Sequence, residues 1–256
     1  MSTELVRISA AAPTEQAEEL RAVALELSPL GFEESESGRE LVVSFYVPRD
    51  DLDRVLAALP GARASAVQPG WEDGWRAFHR PVRAGGLWIG PPWEHPDPGE
   101  PAVVIDPGRA FGTGAHPTTQ LCVQLLATTP PGSLLDVGCG SGVLSIAAAR
   151  LGFGPIRAVD NDPVAVEVTT ANAAVNGVAL VASVVDGVED ALPHTEVAVA
   201  NVLLAPVERI LARLDTQVAL TSGYLTTDYP SAPGWRHDER VELDGWAADR
   251  FERPSP

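Results

Sequence analysis

The chain has 256 residues, 45% of them hydrophobic and 21% charged, a composition that excludes global disorder. Its 35 acidic and 18 basic residues give a net charge of −17, which argues against direct nucleic-acid binding and favours a basic partner, unless the acidity serves only solubility. No apolar run reaches the ~20 residues of a membrane span, no signal peptide opens the sequence and two cysteines cannot build a disulfide framework, so we expect a cytoplasmic protein.

The first 67 residues are predicted to form a small α+β domain. Apolar residues alternate in some segments, which indicates strands, and recur every three or four positions in others, which indicates helices. We interpret their order as the β-α-β-β-α-β arrangement of a ferredoxin-like domain, a common binding platform. In chain order, the predicted elements are a strand at Leu5–Ile8, a helix at Pro13–Leu27, a strand at Leu41–Val47, a helix at Asp50–Leu59 and a strand at Arg63–Gln68.

Residues 68–99 are rich in aromatic residues, prolines and glycines. We interpret them as a linker region whose aromatic side chains pack against neighbouring structure, and a recognition surface is the alternative. The aromatic residues that support this interpretation are Trp71, Trp75, Phe78, Trp88 and Trp93.

Residues 100–256 alternate short apolar strands with helices, which predicts an α/β domain around a parallel sheet that is buried on both faces. Pro117 opens one predicted helix, and Asp162 caps a second that ends at Asn176-Gly177. The predicted strands are Ser133–Val137, Ile156–Val159, Leu180–Val184, Val197–Asn201, Val218–Gly223, Trp235–Leu243 and Trp246–Phe251.

The last two of these strands flank Asp244-Gly245. This dipeptide is a strong hairpin signal, because both of its residues tolerate the positive φ that a tight hairpin turn requires. The parallel sheet is therefore expected to end in an antiparallel pair.

The most specific stretch is Asp136–Gly142, a D-x-G-x-G-x-G run that joins a predicted strand to a helix. A dinucleotide fingerprint would require a third glycine at position 143, where the sequence has valine. The turn therefore suits a smaller ligand, with Asp136 beside a cationic group such as an α-ammonium. Asp160 follows 24 residues later, at the end of the next strand, where an acid can accept both hydroxyl groups of a ribose. Together they predict a site for S-adenosylmethionine.

The sequence resembles class I S-adenosylmethionine-dependent methyltransferases and, within them, the PrmA family, which methylates ribosomal protein L-eleven (L11). The general part of the resemblance is Asp136–Gly142 with Asp160. The specific part is Ile105–Thr119, which contains the run FGTGAHPTT. Three further stretches agree with the family: Trp71–His79, Leu87–Ile89 and Ala200–Leu203.

The resemblance implies a Rossmann-like class I sheet, parallel with an antiparallel last strand, after a ferredoxin-like domain that recognises substrate. It also implies a monomeric lysine N-methyltransferase that uses S-adenosyl-L-methionine on ribosomal protein L11, with an α-amine as a second acceptor. The Phe111–Gly114 loop would close over the cofactor. The cofactor contacts that it implies are Phe111, Gly112, Thr113, Thr119, Asp136, Gly138, Gly140, Asp160, Asn161, Asp186 and Asn201.

Asn201 and His116 are the candidate catalytic residues. Asn201 occupies the position of the Asn-Pro-Pro-Tyr motif of related amino-methyltransferases, but Val202-Leu203-Leu204 follows it and leaves a wider slot, which favours an aliphatic amine. His116 is either a neighbour of a helix N-cap or a proton acceptor. Two other functions stay open: a methyltransferase for another protein or a small amine, and a non-catalytic S-adenosylmethionine-binding regulator.

Overall fold

The computed structural model describes residues 5–13, 16, 20, 23–24, 27, 33–37, 40–66, 80–106, 112 and 114–254. The chain divides into two compact units, Met1–Phe78 and His79–Pro256. Within the ranges that the model describes, no helix is long and apolar enough to cross a membrane.

The first unit contains a four-stranded antiparallel sheet. Its elements are β1 (Leu5–Pro13), β2 (Glu33–Ser37), β3 (Glu40–Pro48), α1 (Leu52–Ala58, after a 3-10 turn at Arg49–Asp51) and β4 (Arg63–Ala66). The strand order is β2-β3-β1-β4, with β1 and β3 in the centre as a ferredoxin-like sheet requires. The predicted β-α-β-β-α-β order requires β2, although the sequence assigned no residues to it, and Pro13, predicted to open a helix, belongs to β1 instead.

Apolar side chains alternate along the central strands β1 and β3, and they bury one face of this sheet. Ile8 of β1 and Val43 and Phe45 of β3 are at most 1% exposed and pack with Val55 of α1. The predicted helix over 13–27 lies largely outside the described residues. Three residues of its predicted apolar face are nevertheless buried in the same core: Leu20, Ala24 and Leu27.

The second unit begins with a small sheet of β5 (Val82–Ala84), β6 (Leu87–Gly90) and β7 (Ala102–Val104), in the order β5-β6-β7. The end of the predicted linker therefore forms two strands. All of β6 is buried, with Trp88 2% exposed, so this aromatic side chain packs in the interior as expected. Trp71, Trp75 and Phe78 lie outside the described residues.

A seven-stranded sheet is the centre of the second unit. Its strands are β8 (Leu134–Val137), β9 (Ile156–Asp160), β10 (Val181–Val184), β11 (Val197–Asn201), β12 (Val218–Leu225), β13 (Arg236–Leu243) and β14 (Trp246–Glu252). They lie in the order β10-β9-β8-β11-β12-β14-β13. Neighbours are parallel from β10 to β12, and β14 runs antiparallel to both β12 and β13. The predicted α/β class with an antiparallel last pair is confirmed.

The burial of the strands follows their place in the sheet. The central strand β8 is buried throughout, as a parallel strand covered by helices on both faces must be. The edge strand β10 is different, because Val181 and Val184 are more than half exposed. The prediction that every strand is buried on both faces is therefore wrong for β10, which has a neighbour on one side only.

Four helices pack on the large sheet: α2 (Pro117–Thr128), α3 (Val143–Arg150), α4 (Pro163–Val175) and α5 (Leu204–Leu211). The predicted cap of α4 is confirmed, because the Asp162 carboxylate accepts a hydrogen bond from Val164 N at 2.8 Å. Helix α5 was not predicted. Its apolar spacing, Val207 with Ile210 and Leu211, covers only two turns after a strand and is too short to be distinctive.

Candidate functional site

A cleft of about 340 Å³ opens where β8, β9 and β11 end. The carboxyl ends of parallel strands meet at one edge of the sheet, so residues far apart in sequence line the same space. The size lies in the range of small-molecule sites in proteins. Its walls include Gly138, Asp160, Asn161, Asp186, Val202 and Leu203.

The glycine turn forms the wall that follows β8. Gly138, Gly140 and Gly142 have φ values of +75°, +53° and +81°, in the left-handed region that side chains disfavour. A Cβ on Gly138 would lie 2.6 Å from Cγ1 of Val202, which also lines the cleft. The turn is fixed by the carbonyl oxygen of Val159, which accepts hydrogen bonds from the backbone nitrogens of Gly138 and Cys139. Bare backbone therefore faces the cleft.

Asp160 ends β9 and is held in one orientation. Its Oδ2 accepts from Gly140 N and its Oδ1 accepts from Asp162 N, each at 3.0 Å. A carboxylate oxygen can accept more than one hydrogen bond, so both oxygens retain capacity for the hydroxyl groups of a ligand. Asp186 has a similar arrangement: its Oδ1 accepts from the backbone nitrogens of Val188 and Glu189 and shapes the turn after β10.

Asp136 lies behind the glycine turn and is 1% exposed. Its Oδ2 accepts from the backbone nitrogen of Ser145 at 3.0 Å and from the Ser145 hydroxyl at 2.7 Å. Its Oδ1 is buried and has no hydrogen-bond partner among the described residues. Burial raises the pKa of Asp136 to about 6. An unpaired, buried carboxylate oxygen fits a nearby cationic group, as the sequence predicts, although Asp136 itself does not line the cleft.

Asn201 and Thr119 approach each other at the same edge. Asn201 is the last residue of β11 and is half-buried, whereas Thr119 lies in the first turn of α2 and is buried. The Asn201 side-chain nitrogen donates to the Thr119 hydroxyl oxygen at 3.4 Å. This contact uses the amide nitrogen and leaves the amide oxygen as an acceptor for an amine.

His116 is itself the N-cap of α2, not merely a neighbour of the cap. Its Nδ1 accepts from Thr118 N at 3.3 Å and lies 2.8 Å from the Thr118 hydroxyl oxygen. The imidazole meets the ring of Trp246 edge to face, with centroids 4.8 Å apart. Partial desolvation lowers the pKa of His116. Nδ1 is therefore occupied by the cap. The role of His116 as a proton acceptor stays a prediction.

The segment that contains FGTGAHPTT is described only in part. Phe111 and Thr113 lie outside the described residues. Gly112 has a φ of +106°, and its carbonyl oxygen accepts from the Ser141 hydroxyl. Gly114 has a φ of +88°, and a Cβ there would lie 2.5 Å from Cγ2 of Ile89. The segment therefore contacts both the glycine turn and β6, and a side chain at Gly114 would clash with Ile89.

Three residues at this edge were missed as functional candidates. The sequence predicts Trp246 only as the first residue of a strand. Arg209 and Glu189 belong to no recognisable motif. The guanidinium of Arg209 in α5 donates to the Glu189 carboxylate at the rim of the cleft. Only the pairing of strands and the position of α5 bring these side chains to the site.

The model of the family described as Ribosomal protein L11 methyltransferase (PrmA) matches residues 51–247. The ribosomal protein L11 methyltransferase of Pelotomaculum thermopropionicum is 42% identical over 182 residues, covering 63% of this chain and 59% of that protein. That of Geobacter metallireducens is 37% identical over 199 residues, covering 70% of this chain and 66% of that protein. The chain thus spans roughly 60% of the length of the curated relatives that it matches.

The chain also resembles a solved structure of the same family. It is a ribosomal protein L11 methylase from Lactobacillus delbrueckii subsp. bulgaricus, with a TM-score of 0.61 and 26% sequence identity. The match covers 68% of this chain and 99% of that one.

Proposed function

The chain belongs to the ribosomal protein L11 methyltransferase (PrmA) family, and from that premise we propose that it methylates lysine amines of ribosomal protein L11 with S-adenosyl-L-methionine as the donor. One observation carries the proposal. Thr119, from the family-specific run, is hydrogen-bonded to Asn201, and Val202, the next residue after Asn201, lines the cleft together with Gly138 of the glycine turn. The two sequence signatures therefore meet at one site, as a reaction between cofactor and acceptor requires.

The residues that line the cleft, with Asp136 behind the glycine turn, fit this cofactor. The glycine turn provides bare backbone, Asp160 provides a fixed carboxylate for a ribose, and the unpaired Oδ1 of Asp136 provides a negative charge for an α-ammonium. Asn161 and Asp186 add polar groups to the same walls. When bound, S-adenosyl-L-methionine supplies a methyl group on a positively charged sulfur.

The residues of the chain have to orient an amine and keep it neutral. A free lysine amine has a pKa of ~10.4, so deprotonating it near pH 7.5 costs roughly 4 kcal/mol. Burial and a nearby positive charge both lower that pKa, so a strong general base is not required. The Asn201 amide oxygen can accept a hydrogen bond from a neutral amine, which orients the nitrogen lone pair away from Asn201.

Features around the cleft support a lysine acceptor on a protein. Val202 and Leu203 follow Asn201 and provide an aliphatic slot, and Leu203 is 73% exposed at its rim. The net charge of −17 suits a basic ribosomal protein. We assign recognition of this protein to the ferredoxin-like unit, and we propose a cytoplasmic monomer that does not bind nucleic acid.

Mass spectrometry of purified ribosomal protein L11, after incubation with the chain and isotope-labelled S-adenosyl-L-methionine, tests the proposal. We expect added methyl groups on lysine residues. This chain contains no lysine, so a label found on lysine lies on the substrate and not on the enzyme. If L11 is unmodified while a lysate yields another labelled protein or amine, the substrate assignment is wrong. If the cofactor binds but nothing is labelled, a regulatory role replaces the enzymatic one.

A further inference from the structure

Trp246 lies at the same sheet edge as Asn201. It is the first residue of β14, and β14 runs antiparallel to the neighbouring β12, so the start of β14 lies where β11 and β12 end. The register is explicit: Trp246 pairs with Leu225 at the end of β12, and Ser222 of β12 pairs with both Asn201 and Ala248.

Trp246 and Asn201 also project from the same face of the sheet. Val199, Leu220 and Ala248 all lie in the core beneath α2, and Trp246 packs against this core. Side chains alternate along a strand, so Asn201 faces the same way as Val199 and Trp246 the same way as Ala248. One strand separates β11 from β14, so the two strands lie roughly 10 Å apart at ~4.8 Å per strand. Trp246 lies two residues beyond the level of Asn201, or roughly 7 Å further along the strand direction.

The first turn of α2 spans this gap. Thr119 contacts Asn201 at one end, and His116 contacts the indole ring of Trp246 at the other. Trp246 is half-buried. Asn201, Thr119, His116 and Trp246 are thus joined by a continuous series of contacts along this edge.

We propose that Trp246 is the aromatic wall of the acceptor channel and binds the lysine side chain, and its methylated ammonium forms, opposite Asn201. This inference rests on the proposed function. Val202 and Leu203 supply no aromatic ring after Asn201, and Trp246 supplies one from a different strand. An indole packs well against the four methylene groups of lysine and attracts a cation to its face.

The two side chains complement each other when one nitrogen is methylated repeatedly. In each round the amine lone pair forms the new N–C bond, the C–S bond breaks with its electron pair left on a neutral thioether, and the ammonium product loses a proton to water before the next round. Each added methyl group removes one N–H, so the neutral dimethylated amine that enters the third round has none left to donate to Asn201. Attraction to the indole does not depend on N–H groups and persists through every round.

The test compares Trp246→Leu and Trp246→Phe with the wild-type protein on purified L11. We expect Trp246→Leu to lower kcat/KM for L11 at least fivefold and to shift the products towards monomethyl-lysine. Trp246→Phe, which keeps an aromatic face, should lie between the two. Cofactor affinity, measured by calorimetry, should change less than twofold in both variants.

Trp235→Leu is the matched control. Trp235 packs against the core on the other face of the sheet, and its indole nitrogen donates to Leu211 O. This variant should lose thermal stability without a change in product distribution. If Trp246→Leu does not fold, the product distribution of Trp246→Phe tests the proposal: a shift towards monomethyl-lysine supports it, and wild-type products contradict it.

The outcomes separate the two proposals. If the wild-type protein methylates L11 and a folded Trp246 variant does so with the same kinetics and products, the role of Trp246 is overturned and the proposed function is not. Wild-type protein that binds the cofactor but leaves L11 unmodified overturns the proposed function and, with it, this inference.

Discussion

The side-chain nitrogen of Asn201 and the hydroxyl oxygen of Thr119 lie 3.4 Å apart, although 82 residues separate them in the chain. In this contact the amide nitrogen donates and the hydroxyl oxygen accepts, so the amide oxygen is not used by it. We propose that this contact turns the amide oxygen towards the amine and that Thr119 is a positioning residue for Asn201.

Removing this amide should abolish most of the turnover. We expect Asn201→Ala to lower kcat on L11 more than tenfold, because the amine loses its hydrogen-bond acceptor and its orientation. Thr119→Val should lower kcat less, whereas Thr119→Ser, which keeps the hydroxyl, should retain most activity. Steady-state kinetics with calorimetric cofactor affinity measure both effects. Equal kcat for Thr119→Val and Thr119→Ser would refute the positioning role.

Replacement of Asp160 should weaken cofactor binding. Loss of two charge-assisted hydrogen bonds predicts a cost of roughly 2–4 kcal/mol for Asp160→Ala. Asp162→Ala is the matched control, since its carboxylate caps α4 and does not line the cleft. That control should destabilise the fold by about 1 kcal/mol and leave affinity unchanged. Calorimetry decides, and unchanged affinity in Asp160→Ala would remove Asp160 from the site.

Asp136 should make stability and cofactor affinity depend on pH. Its pKa rises on folding from 3.8 to about 6, so the folded state binds more protons between these values. Stability from this group therefore decreases as pH rises from about 4 to 6, by roughly 3 kcal/mol at 1.36 kcal/mol per unit. The wild-type protein should thus gain stability relative to Asp136→Asn as the pH is lowered from 7 to 5.

Cofactor binding should show the opposite trend. A cationic group near Oδ1 favours the ionised carboxylate, so wild-type affinity should fall below pH 6. Asp136→Asn should bind more weakly and lose that pH dependence. Chemical denaturation and calorimetry across this range measure the two trends, and parallel curves for both proteins would rule out Asp136 as their source.

Gly138 should not tolerate a side chain. Its φ of +75° and the 2.6 Å approach of a Cβ to Val202 predict that Gly138→Ala displaces the turn and weakens cofactor binding at least tenfold. Gly177→Ala is the control, because Gly177 has a similar φ of +63° and a Cβ there would meet nothing within 4 Å. It should cost roughly 1 kcal/mol of stability and leave binding intact. Similar affinities for the two variants would contradict a role of this backbone in binding.

The N-terminal unit should be dispensable for the cofactor but not for the protein substrate. A truncated chain that begins at His79, the start of the second unit, keeps the cleft residues and should bind S-adenosyl-L-methionine normally. It should fail to methylate L11. Full activity of the truncated chain would place substrate recognition in the second unit.

The sequence alone determined what depends on local chemistry. Asp162 caps α4, Asp244 and Gly245 both adopt positive φ in the hairpin turn, and the glycine turn follows β8, all as predicted. Steric demands on a few consecutive residues cause these features, so a short pattern is sufficient to predict them. The element order, and with it the fold class, follows from the same local signals.

Only the tertiary structure decided which distant side chains meet. The insertion of β14 between β12 and β13 brings Trp246 to the edge that holds Asn201, and the packing of α2 on the sheet joins Thr119 to it. Burial of Asp136 beneath the turn, which raises its pKa, likewise depends on the whole core. Strand order and register are long-range properties, and a shift of one residue would turn every side chain to the opposite face.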